Sequence, residues 1–487
     1  MVAFEPNRKD FALLARTANT VPVFCSLLSD QLTPVSAFER IARDAPHAFL
    51  LESVIGGEKI ARYSFLGADP MAIVEARDGE TVVSDANGRT AFPDVDPLQK
   101  LEEQLAKYHA AHPRGLPRFL GGAVGYAGYD IARRFESKLS TPPSDDRGLP
   151  DLLFGLYDRM VVFDHVRKLI HVVAHAHLDS ASSPEAAYNE ACSRIEADVE
   201  RLSGDAPIVS RPFVSGVAPA VQVDETMSRQ EFEEAVDRCR QYIRAGDIFQ
   251  VVLSRRMTQQ TTSPPFDIYR ALRVINPSPF MFYIQSPSVT LVGASPEILC
   301  RIDGRTVSTR PLAGTRARGK TEAEDLGLET ELLADPKERA EHVMLVDLGR
   351  NDLARVCEPG SVVVDDLMSV ERYSHVMHIC SNVSGTLSAG KTAFDALRAV
   401  LPVGTVSGAP KIRAMQIIDE LETVRRGPYA GAVGYLDFAG NMDTCITLRT
   451  LVITPRDDDR WRVDAQVGAV NPAAIRSAPD PLATSPA

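Results

Sequence analysis

Tight Asp-Gly and Asn-Gly reversals between short apolar stretches constrain this chain more than any other feature. Met71 to Ala76 and Glu80 to Ser84 read as strands joined at Asp78-Gly79, and Asn87-Gly88 marks the next reversal. Such dipeptides tolerate the positive φ of a two-residue turn, and strands joined this closely run antiparallel. Arg159 to Phe163 and Leu169 to His175 form a further hairpin. Helices with readable starts stand between them. Asp96-Pro97 opens one carrying Leu98, Leu101, Leu105 and Tyr108 on one side, and Ser183-Pro184 opens another that runs to about Gly204. Gly121 to Tyr126 reads as a glycine-rich strand edge. With no strand and helix around a G-x-G-x-x-G pattern, close packing explains these glycines better than a nucleotide does.

At 487 residues the chain exceeds one comfortable core. Gly204 to Gln222, rich in Pro, Gly, Ser and Val without periodicity, reads as a linker; the predicted parts are 1–204, a linker at 205–224, a second domain at 225–469 and a tail at 470–487. Ser228 and Glu231 form a capping box for a helix that ends at Gly246. The strands Gln250 to Ser254 and Thr290 to Gly293 follow, the second leading into Ala294-Ser295-Pro296-Glu297. No apolar run is long enough for a membrane helix, and the N-terminus lacks a signal peptide's apolar core, so a cytoplasmic protein is expected. Seven cysteines without a Cys-x-x-Cys pair point to reduced thiols, and a formal charge of −12 argues against nucleic acid.

The residues that carry chemistry cluster late. Asp335-Pro336 starts a helix in which Glu338 and Glu341 lie three apart, on one face, beside Met344, Leu345 and Leu348. Paired carboxylates suit Mg²⁺, although Glu338 also occupies the third position of a capping box and Glu341 also fits a solvated face. Pro311 to Thr315 and Gly404 to Lys411 offer hydroxyls and free N–H groups to an anion. Thr444 to Leu451 alternates as a strand placing Arg449 beside Cys445 and Thr447, for a carboxylate grip or an exposed salt bridge. His375 and His378, in the strand-like Ser374 to Asn382, fall on opposite faces, so at most one enters a shared pocket. Leu50-Leu51-Glu52-Ser53 suits an ammonium group or a strand leaving the core.

Taken with Gly246 to Gln250, Ala294 to Glu297, Gly431 to Tyr435 and Leu448 to Thr450, these blocks resemble the chorismate-utilising enzymes, and among them the anthranilate synthase large subunits. The resemblance runs from Leu50 to about Gly468. It implies an α+β fold, a large antiparallel sheet sandwich with helices packed outside, and conversion of chorismate and ammonia to anthranilate and pyruvate. By the same resemblance, Mg²⁺ is held by Glu341 with Glu338 near, Glu297 is the general acid, and His378 assists pyruvate loss. Arg449 and Tyr435 grip the enolpyruvyl carboxylate, while Gly314, Thr315, Thr405 and Gly468 line the substrate. Gln250 stands at the catalytic position where water-using isochorismate and salicylate synthases carry lysine; Ala313 stands where para-aminobenzoate synthases typically carry lysine. Glu52, Ser53, Pro279 and Met281 resemble a feedback site for L-tryptophan, and a separate glutamine amidotransferase subunit, component II, is implied as partner.

One departure stands out. The family continues past the strand at Val463 with a second glycine and a helix bearing two more glutamates, one a metal ligand; here Gly468-Ala469 is followed by Val470-Asn471-Pro472 and an Ala, Ser and Pro run with Asp480 as its one acid. The expectations are therefore an anthranilate synthase large subunit, a para-aminobenzoate synthase component I, or a catalytically impaired homologue that binds tryptophan and the partner.

Overall fold

The computed structural model describes residues 3–53, 62–113, 115–204, 223–373 and 376–469. Two antiparallel sheets, of eleven and twelve strands, dominate it. In the first, Ala48–Glu52 pairs with Phe280–Gln285, which pairs in turn with Thr290–Ser295, Thr450–Pro455, Trp461–Ala469 and Leu253–Thr261 in succession. In the second, Ile298–Asp303, Met442–Ile446, Ala432–Asp437, Gly122–Ala127 and Leu152–Tyr157 are successive neighbours. Both sheets thus interleave strands from before and after the predicted linker. The division at 205–224 divides the sequence but not the sheets, and the linker's Asp205 to Gln222 lie outside the described residues.

Alternation along each strand assigns the faces. In Ala48–Glu52, Phe49 enters a core shared by the two sheets with Val124, Tyr157, Phe282, Val433 and Cys445. Leu50 points the other way, into a core roofed by helices through Phe38, Ile195 and Tyr269. The outer face of the second sheet is covered likewise by Leu101, Leu353, Leu397 and Ile418. The result is the expected sandwich with its helices outside.

Local signals translate directly into structure. Asp78 and Gly79 take φ of 49° and 90° in the turn between Ala72–Arg77 and Glu80–Asp85. Asn7, Thr33, Asp96, Ser183 and Ser228 cap the helices that follow them. The glycine run, read as a strand edge, is instead the central strand Gly122–Ala127, paired on both sides. A Cβ on Gly125 would lie 1.9 Å from the Leu153 carbonyl oxygen, so tight packing does explain that residue. The predicted strand Thr444 to Leu451 does not exist as one piece. Met442–Ile446 belongs to the second sheet, Thr450–Pro455 to the first, and between them Arg449 sits at φ 49°.

Candidate active site

Two neighbouring crossovers between the sheets create the site. Strand Thr290–Ser295 leaves the first sheet, and after a gap of two residues, Pro296 and Glu297, Ile298–Asp303 joins the second. Met442–Ile446 and Thr450–Pro455 make the opposite passage beside it, with Arg449 in their gap. The passages are stitched together: Ala294 N–H donates to the Arg449 carbonyl at 3.1 Å, Ile446 N–H to the Glu297 carbonyl at 3.0 Å, and the Ser295 hydroxyl to the Ile446 carbonyl at 2.6 Å. A carboxyl and a guanidinium far apart in sequence are thereby brought near enough for the Arg449 charge to act on Glu297. A positive φ at a non-glycine residue stores strain of the kind found at functional sites.

Glu297 is 3% exposed and accepts a hydrogen bond from the Thr405 hydroxyl at 2.9 Å. Burial pushes its carboxyl up to about 8, against the opposing pull of Thr405, the Leu312 backbone and the Arg449 charge. It is consequently protonated at neutral pH. Arg449 is exposed and makes no ion pair among the described residues, which removes the salt-bridge alternative. Thr405 sits in the short turn Gly404–Val406, held against the glutamate-bearing helix by the close approach of Gly404 to Leu348.

His378 is buried on strand Val376–Thr386, and burial lowers its imidazole to about 4, leaving it neutral. Its Nδ1 lies 3.2 Å from the Gly314 carbonyl and 2.9 Å from the Thr315 hydroxyl. A carbonyl only accepts, so Nδ1 carries the proton and Nε2, buried without a partner, presents a lone pair. Gly314, at φ 78° in a register shift of strand Leu312–Ala317, makes this reach possible. The same glycine faces the metal candidates, for a Cβ there would lie 3.4 Å from Glu338 Oε2. His375 lies outside the described residues.

Helix Pro336–Ala354 starts on the Asp335 cap, whose side chain accepts from the N–H groups of Lys337 and Glu338. Glu338 closes no capping box: the Asp335 N–H donates to the Leu332 carbonyl, and Glu338 lies 3.7 Å from Arg316. Glu341 is half-buried, and desolvation, then the charge of Glu338, raise its carboxyl. Two hard oxygen donors that repel each other fit a small divalent cation that keeps several waters. No third His, Cys, Asp or Glu joins them among the described residues, and 470–487 fall outside these.

Gln250 is 6% exposed, and both its amide atoms are buried without protein partners, as expected of a group aimed at a ligand. Gly468 packs close by, since a Cβ there would lie 2.9 Å from Val252 and 2.5 Å from the Tyr429 hydroxyl.

Tyr435 is a correction. It stacks on Phe119 at 4.0 Å and lines a different cavity, apart from Arg449, because its strand turns that side chain into the space between the sheets. The tyrosine on the site's side is Tyr429, next to the Ala430–Thr447 backbone pairing. Sequence reasoning missed it; the available signal was that tyrosines flank both ends of the Ala430 to Gly434 run.

The second cavity, of about 620 Å³, brings together Glu52, Ser53, Pro279 and Met281 with Phe65, Phe119 and Tyr435. The Ser53 hydroxyl is buried without a partner. The Glu52 carboxylate is engaged, by the Tyr269 hydroxyl at 2.5 Å and by Arg273 Nε at 2.7 Å. Strand alternation aims Glu52 toward the helices, so it meets a ligand's ammonium group only in competition with Arg273.

Residues 46–470 match the family model of the chorismate binding enzymes. Among curated relatives, anthranilate synthase component 1 of Acetivibrio thermocellus is 46% identical over 96% of this chain and 94% of its own length. That of Pseudomonas aeruginosa is 48% identical over 92% and 91%. The crystal structure of anthranilate synthase component I from Streptococcus pneumoniae is 38% identical, with a TM-score of 0.74 over 91% of this chain and 94% of that one. The menaquinone-specific isochorismate synthase of Escherichia coli, 18% identical over 96% of each chain with a TM-score of 0.66, shares the fold.

Proposed function

This chain belongs to the chorismate binding enzymes, and on that premise we propose that it is the large subunit of an anthranilate synthase, making anthranilate and pyruvate from chorismate and ammonia. The carrying observation is a buried, protonated Glu297, hydrogen-bonded by Thr405 and facing an unpaired Arg449 across adjoining crossovers. Glu297 donates its proton to the C4 hydroxyl as that group leaves as water, while the ammonia nitrogen bonds to C2. Gln250, its amide free inside the site, orients the incoming nitrogen. Arg449 holds the enolpyruvyl carboxylate, and Gly314, Thr315, Thr405 and Gly468 shape the ring pocket. The Nε2 lone pair of His378 accepts the ring proton lost as pyruvate departs.

Glu341 and Glu338 are the residues to hold Mg²⁺. Bound there, the ion supplies positive charge to the ring carboxylate. Component II delivers ammonia from glutamine. A cytoplasmic setting is supported by the cysteines, all seven of them unpaired. An assay with chorismate, Mg²⁺ and ammonium, read by anthranilate fluorescence, tests the reading. Formation of para-aminobenzoate precursor, or no turnover, sinks it.

Arg449→Lys should lower kcat/KM roughly tenfold or more, because a point-like ammonium cannot reproduce a planar two-bond grip and each 1.4 kcal/mol or so is a factor of ten. An unchanged kcat/KM removes Arg449 from the site. The second cavity is proposed as the L-tryptophan feedback site, its aromatic walls suited to an indole and its Ser53 hydroxyl unengaged. Ser53→Phe should weaken tryptophan binding by calorimetry and leave chorismate KM nearly unchanged. Absence of any tryptophan heat with the unaltered protein counts against the assignment.

A further inference from the structure

Behind the site lies a charge that the mechanism does not use. Arg426 is 2% exposed, and every edge of its guanidinium is engaged. Nε and Nη2 grip the Glu422 carboxylate at 2.9 and 2.5 Å, Nη1 donates to the Val406 carbonyl at 2.7 Å, and Nη2 also donates to the Val252 carbonyl at 2.7 Å. Its flat faces are covered by Tyr129, 4.6 Å from the ring centroid, and Tyr429, at 5.6 Å.

The acceptors are not arbitrary stretches of core. Val406 follows Thr405 in the turn that hydrogen-bonds Glu297. Val252 lies two residues beyond Gln250 and against Gly468, and Tyr429 places its hydroxyl at that same glycine. Glu422 extends the grip, accepting from the N–H and hydroxyl of Ser254 at 2.8 and 2.9 Å, while Gln466 donates to that hydroxyl at 2.9 Å. One buried cation therefore touches three separate chain segments that supply site residues. A core that needed only filling would be served as well by an apolar side chain of similar volume, without the cost of a buried ion pair.

We infer that Arg426, oriented by Glu422, is a positioning residue for chorismate conversion: its fork fixes the Thr405 turn, the Gln250 strand and the Tyr429 ring in one register. This rests on the function proposed above. Lysine preserves the charge opposite Glu422 but makes three donors at a point, not a planar fork, so it cannot reach Val406, Val252 and Glu422 together.

The test is Arg426→Lys in the full chain, with chorismate and ammonium as substrates. Expected are a native far-UV circular dichroism spectrum, unchanged tryptophan calorimetry at the distant cavity, and kcat/KM lowered at least tenfold. The alkaline limb of the kcat/KM profile should also move upward, because loss of the Thr405 hydrogen bond removes one influence that holds the Glu297 carboxyl down; Arg449 and Cys380 are the other ionisable groups near it. A folded variant with kcat/KM within twofold of the parent and the same alkaline limb overturns the inference. If Arg426→Lys does not fold, Ser254→Ala decides, since it cuts the bridge from Glu422 to Gln466 without stranding a charge. A threefold or greater loss in kcat/KM supports the inference, and none overturns it. Failure of the parent protein itself to make anthranilate would tell against the proposed function instead.

Discussion

Glu297→Gln should lower kcat about a hundredfold to ten-thousandfold, the span that a positioned general acid contributes. Glutamine keeps the shape and can still accept the Thr405 hydroxyl's hydrogen bond, but it has no proton to give. Steady-state anthranilate fluorescence at a fixed concentration of unprotonated ammonia is the measurement, so that the nucleophile does not vary with pH. The parent enzyme should lose activity as pH rises through about 8, where the carboxyl ionises, and the residual rate of the variant should lack that limb. Stability should follow the same titration. The folded-state value lies above the ordinary 4.5, so protonated Glu297 contributes stability that is complete below 4.5 and lost as pH rises through about 8. Thermal scans from pH 5 to 9 should therefore show Glu297→Gln gaining on the parent as pH rises. A variant that retains more than a tenth of parental kcat would exclude Glu297 as the acid.

Glu341→Gln should raise the half-saturating Mg²⁺ concentration by at least ten- to a hundredfold, since removal of groups that merely support metal ligands already costs that much. Its position predicts a larger effect than Glu338→Gln. Glu341 is half-buried with its charge disfavoured by desolvation and by Glu338, so a cation relieves more there, whereas Glu338 already has Arg316 at 3.7 Å. Calorimetric titration with Mg²⁺, in parallel with activity, separates metal loss from misfolding. Equal half-saturation in Glu341→Gln and parent would move the metal elsewhere. The substitution should also leave tryptophan binding intact, because no residue of the helix Pro336–Ala354 lines the second cavity.

Both predictions rest on residues legible in the sequence, yet for different reasons. Caps and turns are short-range events: Asp335 bonds N–H groups two and three residues ahead, and Asp78-Gly79 bends where its own φ angles permit. Sequence by itself determined the antiparallel hairpins, the helix starts and the pair Glu338 and Glu341 on one face, and through family resemblance it singled out Glu297, Gln250 and His378 as candidates. It failed where a face depended on distant contacts. A period-two reading carried a strand through Arg449, but the chain passes between sheets there with φ 49°, and alternation has no meaning across such a break. Tyr435 was assigned to the carboxylate, but pairing of its strand with Gly122–Ala127 turned it onto Phe119, leaving Tyr429 against Gly468. Nor could local pattern show that Glu52 is already held by Arg273, 221 positions away, or that Arg426 joins site segments as far off as Val252, 174 positions away, because such partners meet only when the sheets close. Only the tertiary structure decided which side chains share the cleft, because two sheet crossovers, stitched by Ser295, Ile446 and Ala294, set that geometry, and no short stretch of sequence contains both.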